Sequence, residues 1–185
     1  MTSKAIEVEV VYFIMKNEIF FAVLFTVLIV RAKEFSKRNR FLAGVVYLIG
    51  TFFHELAHYI AILITTLSVP KGFTVFPKTV TENGVKYITL GEVRIDEKKL
   101  NFFNAAIIGF APLILLYLAY LVSIYFFDIY GEYFKIGIFA HIFYIFLIST
   151  LIVNSIPSDA DIKMAFSKGS VYFYSFLIFS YFFLV

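Results

Sequence analysis

The sequence has 185 residues, of which 61% are hydrophobic and 21% aromatic, and its mean hydropathy is +0.88. This much apolar surface excludes an ordinary water-soluble domain and indicates an integral, multi-pass protein of the cell membrane, with the lipid bilayer as its partner. The net charge of +3 gives no reason to expect nucleic acid, and the absence of cysteine excludes disulfides and thiolate metal ligands. We expect one membrane-embedded domain over residues 1–185, with four or five transmembrane helices.

The N-terminal residues alternate in a way that is unusual for a membrane helix. In residues 5–13, Glu7 and Glu9 are set between β-branched residues, and this period of two favours a β-strand. The alternative is a frayed helix at the membrane surface. Residues 17–32 then form a short, tilted first span of about 24 Å, at about 1.5 Å per residue.

A basic segment separates the first span from the second. Residues 31–40 contain five Lys or Arg and one Glu, which is the strongest positive-inside signal in the chain. Residues 41–68 form the second span, and Glu55 is the only formally charged residue in that stretch.

Within the second span, His54, Glu55 and His58 form an HExxH motif. Residues four apart lie one above the other in a helix, so both imidazoles can bind one zinc ion. Glu55 lies where a carboxylate can act as the general base for a metal-activated water. The alternative is a pair of bundle-interior histidines bonded to a buried glutamate, but ionisable residues inside a membrane usually serve a function.

Residues 70–101 are polar and predict a small β insertion between the second and third spans. Asn83-Gly84 lies at the apex of an alternating stretch, residues 78–90, which is a strong hairpin signal. Residues 91–95 predict a further strand, and the N-terminal strand is on the side where it could join this sheet. The insertion either offers an edge to an extended peptide or only caps the helices.

Two or three further apolar stretches complete the predicted helices. Residues 101–127 form the third span, which Pro112 loosens near its start. Residues 136–156 form the fourth span, and residues 171–185 are a possible short fifth span.

The corner after the fourth span carries the second informative motif. Pro157 ends the incoming helix, and Ser158 with Asp161 has the form of a capping box that opens another. One interpretation is a plain turn between two helices. The other brings one of its carboxylates, Asp159 or Asp161, to the two histidines as a third zinc ligand, which leaves a fourth position for water, as a catalytic site requires.

Three features together resemble the site-2 protease family of intramembrane zinc metalloproteases. They are the HExxH motif from His54 to His58, the small-residue stretch from Gly109 to Pro112, and Asn154-x-x-Pro157 followed by acidic residues. The likeness covers residues 41–166, and the order of the elements also agrees.

The resemblance implies cleavage of a transmembrane protein or peptide substrate after local unwinding. It implies His54 and His58 as ligands of Zn²⁺ and Glu55 as the general base. It also implies that Asn154 holds the substrate or stabilises the oxyanion. We therefore expect an intramembrane zinc metalloprotease, a metalloendopeptidase of the site-2 protease type.

The chain departs from the family pattern at the third ligand. The family places this aspartate five residues after the proline, where this chain has Ile162. Asp161 is the preferred ligand, with Asp159 as the alternative. The family also opens its active site toward the cytoplasm, whereas a cytoplasmic basic loop places the β insertion outside, so the sidedness stays open at this point.

Two other classes of function compete with a protease. One is a non-catalytic zinc-binding membrane scaffold, and the other is a transporter with an intramembrane relay of histidine and glutamate. For a protease, water must reach the site through a polar gap, which we expect Asn104, His141 and Asn154 to line. His141 also has a plain interpretation as a satisfied residue of the bundle core.

Overall fold

The computed structural model describes residues 3–36, 39–82, 85–89, 91–133 and 136–184. In these residues the chain is mainly helical. The helices are α1 (Ser3–Lys16), α2 (Glu18–Ser36), α3 (Arg40–Thr66), α4 (Phe102–Gly109), α5 (Ile114–Tyr133), α6 (Ile138–Asn154), α7 (Asp159–Ala165) and α8 (Val171–Leu184). The short strands β1 (Gly72–Thr74), β2 (Lys78–Glu82), β3 (Val85–Thr89) and β4 (Glu92–Arg94) lie between α3 and α4.

The prediction of an N-terminal strand is wrong, because residues 5–13 lie within α1. α1 packs against α6, where Ile14 is buried together with Tyr144, Ile145 and Ile148. Strand preference depends on the surface that the segment packs against, and here that surface is a helix rather than a sheet edge. The expected addition of this segment to the β insertion is therefore also wrong.

The first two predicted spans correspond to α2 and α3. α2 continues to Ser36, so the predicted basic loop, residues 31–40, is largely the last turns of this helix. Lys37 and Arg38 lie outside the described residues. α1 and α2 meet at an angle of 82°, so α1 does not extend the line of α2.

The β insertion consists of two separate antiparallel pairs. β2 and β3 form the predicted hairpin, with Lys78 opposite Thr89, and this prediction is confirmed; its apex, Asn83-Gly84, lies outside the described residues. The further strand predicted at residues 91–95 is confirmed as β4, but it pairs with β1 rather than with the hairpin. The pair of β1 and β4 contacts α3.

The third predicted span is broken near its start, so the prediction of one helix over residues 101–127 is wrong. α4 ends at Gly109, a 3-10 turn covers Ala111–Leu113, and α5 begins at Ile114. Pro112 in that turn has no N–H and clashes with the preceding helical turn, so it separates the two helices. The apolar helix that remains runs over Ala111–Tyr133.

The short helix α4 holds α7 close to α3, because it contacts both of them. Ala105 and Ile108 of α4 are buried. A Cβ atom on Gly109 would lie 2.5 Å from the backbone oxygen of Asp161 and 2.6 Å from the backbone nitrogen of Ala165. Glycine is therefore required where α4 and α7 meet.

Two of these helices, over Tyr47–Thr66 and Ala111–Tyr133, are long and apolar enough to cross a membrane. The bent pairs α1–α2 and α6–α7, the latter with an angle of 53°, raise the candidate spans among the described residues to as many as four. α8 is apolar but shorter. The chain is thus a helical protein with two to four candidate spans and small β sheets, and the predicted fold class is confirmed in this coarser form.

Candidate metal centre

His54 and His58 lie one turn apart in α3, with their Nε2 atoms 3.3 Å from each other. His54 Nδ1 donates to the backbone oxygen of Asn154 at 2.8 Å, and His58 Nδ1 donates to that of Ile108 at 2.9 Å. These carbonyls belong to the last turns of α6 and α4, where carbonyl groups lack partners within their own helix. The ends of two neighbouring helices therefore orient both rings.

These hydrogen bonds determine the tautomer of each histidine. A carbonyl oxygen only accepts, so the proton of each neutral ring lies on Nδ1. Nε2 of His54 and Nε2 of His58 are then free of hydrogen and face the same point. This is the form in which histidine binds a metal, with the opposite ring nitrogen held by a carbonyl.

Asp161, in the first turn of α7, brings a carboxylate to the same point. Its Oδ1 lies 3.0 Å from Nε2 of His58, and its Oδ2 lies 3.2 Å from Nε2 of His54. Oδ2 also accepts from the backbone N–H and the hydroxyl of Ser158, each at 2.7 Å. Asp161 is therefore both the capping residue of α7 and a candidate metal ligand, because the hydrogen bonds of the cap orient its carboxylate toward the histidines.

Asp159 does not take part in this cluster. It is exposed, whereas Asp161 is buried, and the metal-ligating groups that converge are those of His54, His58 and Asp161. The two aspartates are two residues apart at the start of a helix, so they point in different directions.

The three side chains fit a divalent metal ion. Their ligand atoms all lie within 4.8 Å of one another. Two lone pairs on nitrogen and a carboxylate that face each other repel unless a cation lies between them. Two ligands about 2.1 Å from one ion at a tetrahedral angle are ~3.4 Å apart, close to the 3.0 to 3.3 Å separations seen here.

Glu55 adjoins this centre in a cavity of about 460 Å³. Its side chain is buried, and the same cavity is lined by His54, His58 and Asp161. A carboxylate beside the open side of a metal ion can accept a proton from water there.

The strand β4 covers the carboxylate of Glu55. Gly91, directly before β4, lies so close that a Cβ atom on it would be 2.7 Å from Oε1 of Glu55 and 2.5 Å from Thr51. Gly91, Glu92 and Val93 line the cavity. The β insertion therefore forms one wall of the site, at Gly91 and the first residues of β4.

The charges on this wall are paired. Arg94 Nε lies 2.6 Å from Oε1 of Glu92, and the hydrogen bonds from the guanidinium hold the pKa of Glu92 below its usual value. Lys71, at 3.0 Å, likewise lowers the pKa of Asp96. At neutral pH these pairs are charged and the two charges of each pair neutralise each other.

Asn154 also lines the cavity, as expected from the sequence. Its Oδ1 accepts from Nζ of Lys33 at 2.6 Å, and its Nδ2 donates to the backbone oxygen of Thr150 at 2.7 Å. An amide nitrogen carries two hydrogens, so a second N–H remains for another acceptor. The side chain is buried and held from both ends.

Asn104 and His141 do not line this cavity, so that expectation is wrong. Asn104 forms the capping box of α4 with Asn101. His141 donates from Nδ1 to the backbone oxygen of Gly137 at 3.1 Å and packs against Phe127, which agrees with its plain interpretation. Both residues have structural partners.

Sequence reasoning missed two groups at the site. One is the backbone oxygen of Ile108, for which no side-chain pattern exists. The other is Lys33, which lines the cavity from α2. It lies in the last turn of α2, within the segment that the sequence indicates as a basic loop, so no sequence signal separates it from the other basic residues there.

Comparison with known proteins gives no relative from which a function could be transferred. No family model matches the sequence, and neither the curated proteins nor the solved structures include a significant match.

Proposed function

We propose that this chain is an intramembrane zinc metalloprotease of the site-2 protease type, which hydrolyses peptide bonds of membrane-embedded proteins or peptides. The observation that carries this proposal is the convergence of His54, His58 and Asp161 beside Glu55, deep in an apolar helix bundle. The donor set of two histidines and one carboxylate leaves a coordination position for substrate or water, which is typical of catalytic zinc.

The surface of the molecule supports an integral, multi-pass position in the cell membrane. Large apolar side chains are exposed on the outer faces of several helices, including Ile19, Tyr117 and Phe182. Lipid tails can cover such a surface, whereas water cannot do so without cost. The site would then lie among the spans, so substrates are expected to be membrane-embedded.

Each residue of the site has a defined part in the reaction. Zinc, when bound, supplies Lewis-acid activation of water and of the scissile carbonyl. Glu55 accepts a proton from the attacking water and passes it to the amide nitrogen, which leaves as an amine when the C–N bond breaks. The second N–H of Asn154 donates to the carbonyl oxygen as negative charge develops on it.

The wall formed by β4 offers a way to hold the substrate. A helix hides its carbonyl groups, so the cleaved segment must be extended before it reacts. β4 pairs on one side with β1 and borders the cavity, so among the described strands its other edge is available to an extended peptide.

The first experiment tests Glu55. The protein is reconstituted with a panel of tagged single-span membrane proteins whose helices contain glycine or proline. We expect Glu55→Gln to reduce cleavage about 10²- to 10⁴-fold, because the general base is lost, while the zinc content stays near one ion per chain. Glu97→Gln, which changes an exposed carboxylate outside the cavity, is the matched control and should cleave normally.

Other results would favour the competing functions. Zinc bound by the wild type without any cleavage across the panel would favour a zinc-binding scaffold. Loss of zinc in Glu55→Gln would contradict the assigned role of Glu55. A wild-type protein that binds no zinc would favour a relay of histidine and glutamate.

A further inference from the structure

Lys33 is a half-buried cation in the last turn of α2, and its ammonium group contacts Asn154 of the site. Nζ donates to Oδ1 of Asn154 at 2.6 Å and lies 4.9 Å from the ring centre of Tyr47. Both contacts are with uncharged groups. A half-buried ammonium group without a paired charge is costly, so its place beside the site needs an explanation.

Among the described residues, no carboxylate lies within ion-pair distance of Lys33. The carboxylates of the site are already engaged, since Asp161 faces the two histidines and Glu92 pairs with Arg94. The ammonium group has three N–H donors, of which one is given to Asn154. Glu55, the remaining carboxylate of this cavity, forms no ion pair with Lys33 in the described structure, so the ammonium group keeps spare donor capacity for an anionic group.

Lys33 and Asn154 lie where two cavities meet. They line the 460 Å³ cavity that contains the metal centre, and they also line a second cavity of about 340 Å³ between α2, α3 and α6. The other walls of the second cavity are mainly apolar, with Phe25, Leu28, Ile29 and Phe146 among them.

Thr150 adds a second donor at this junction. Its side chain is buried and lines the second cavity, and its hydroxyl has no hydrogen-bond partner among the described residues. A buried hydroxyl without a partner costs about 1 to 3 kcal/mol, which a ligand that accepts its proton would recover. Its backbone oxygen accepts from Nδ2 of Asn154, whose Oδ1 accepts from Lys33, so Asn154 connects the two residues.

We propose that Lys33 and Thr150 form a subsite for one carboxylate of the substrate, carried on an apolar chain that occupies the second cavity. A carboxylate has one negative charge and two acceptor oxygens, which match one ammonium group and one hydroxyl. A phosphate brings about −1.5 to −2 charges and three strong acceptors, more than this cluster neutralises. The inference rests on the proposed function, and it specifies substrates with a carboxylate near the scissile bond.

Two sources of this carboxylate are distinguishable, an acidic side chain and the C-terminus of a peptide. The test uses the Glu55→Gln protein in nanodiscs, so that binding is measured without cleavage. The probes are three fluorescein-labelled apolar octapeptides of Leu and Ala, whose Kd is measured by fluorescence anisotropy. One ends in a free carboxylate, one in a carboxamide, and one in a carboxamide with an Asp side chain near the end.

We expect at least one carboxylate peptide to bind about tenfold tighter than the neutral peptide, as for a charged hydrogen bond of about 1.5 kcal/mol. Whichever acidic peptide binds tighter identifies the source. Lys33→Met should abolish the preference, and Lys33→Arg should restore part of it. Thr150→Val should weaken it severalfold, with little change for the neutral peptide.

Several outcomes would overturn the inference. They are equal affinity for all three peptides, no binding of any, or a preference that survives Lys33→Met. If Lys33→Met weakens all three equally, the lysine only positions Asn154. If laurate binds in a Lys33-dependent way while the peptides do not discriminate, the cavity takes a lipid. If the preference for a carboxylate depends on Lys33 but the wild type cleaves nothing, the subsite stands and only the proposed protease activity is contradicted.

Discussion

Asp161 serves two purposes with one carboxylate. Oδ2 accepts two hydrogen bonds from Ser158, which begins α7, and both oxygens face the histidines. The cap thereby fixes the direction of a residue that would otherwise be a flexible anion. Orientation of a ligand by its hydrogen-bonding partners is a general feature of metal sites.

Asparagine at this position should separate the two purposes. In Asp161→Asn the amide oxygen still accepts from the backbone N–H of Ser158, so α7 is expected to form. The charged ligand is lost. Because loss of a residue that merely orients a ligand costs about 10- to 100-fold in metal affinity, we expect at least a ~100-fold loss here. Zinc content after equilibration with a competing chelator measures it.

Asp159→Asn is the matched control, since it changes an exposed aspartate in the same turn. It should keep the zinc of the wild type. If Asp159→Asn loses zinc and Asp161→Asn retains it, the third ligand is assigned to the wrong residue.

The part of the site that could be predicted from sequence is the part that is local. His54 and His58 share a helix face because they are four residues apart in one apolar helix. Asp161 is more than a hundred residues away, so the acidic corner after Pro157 indicates a third ligand only when it is joined to the histidine pair. Lys33 and the carbonyl of Ile108 depend on how α2 and α4 pack against α3, which no local pattern encodes.

At the scale of elements, the site depends on the packing of α4 against α7. These helices meet at Gly109, and α4 also supplies the carbonyl that orients His58. α7 carries Asp161. A displacement of either helix would separate the ligands, because they come from different elements.

Gly109→Ala tests this dependence. Its methyl group would meet the backbone of Asp161 and Ala165, which cannot move away as a side-chain tip can. We expect a destabilisation of about 1 to 3 kcal/mol, typical of overpacking, together with weaker zinc binding. Thermal unfolding and zinc content are measured on the same sample.

Gly44→Ala in α3 is the control, since its Cβ would make ordinary contacts with Pro77 at 3.5 Å. It should be neutral or stabilising by up to about 1 kcal/mol, as for alanine in a helix. Equal behaviour of the two variants would show that the contact of α4 with α7 is not essential to the site.

The correctly predicted hairpin depends on residues that are close together in the sequence. The N-terminal segment and the start of the third span depend on contacts with distant helices, so their predictions are wrong. The hairpin of β2 and β3 forms where its turn residues and alternation indicate it. The N-terminal alternation carries the same kind of signal, but α6 provides an apolar surface for Ile14 and the segment becomes helical. Pro112 was recognised, but whether a proline bends a helix or divides it depends on the neighbouring packing.

For the whole molecule, the two longest apolar helices predict a topology. If α3 and α5 each cross the membrane, the residues before α3 and after α5 lie on one side, and the residues directly after α3 and directly before α5 lie on the other. The β insertion that joins them folds back along α3, because Gly91 lies against Glu55 and Pro77 approaches Gly44.

The natural chain contains no cysteine, so single cysteines report their own position without background. We expect Phe35→Cys and Tyr133→Cys, which replace exposed residues at the ends of α2 and α5, to react with a membrane-impermeant maleimide from one side of sealed vesicles. Val69→Cys, just after α3, should react only from the opposite side. Reaction of all three from the same side would mean that α3 does not cross the membrane, and the proposal of cleavage within the membrane would fail with it.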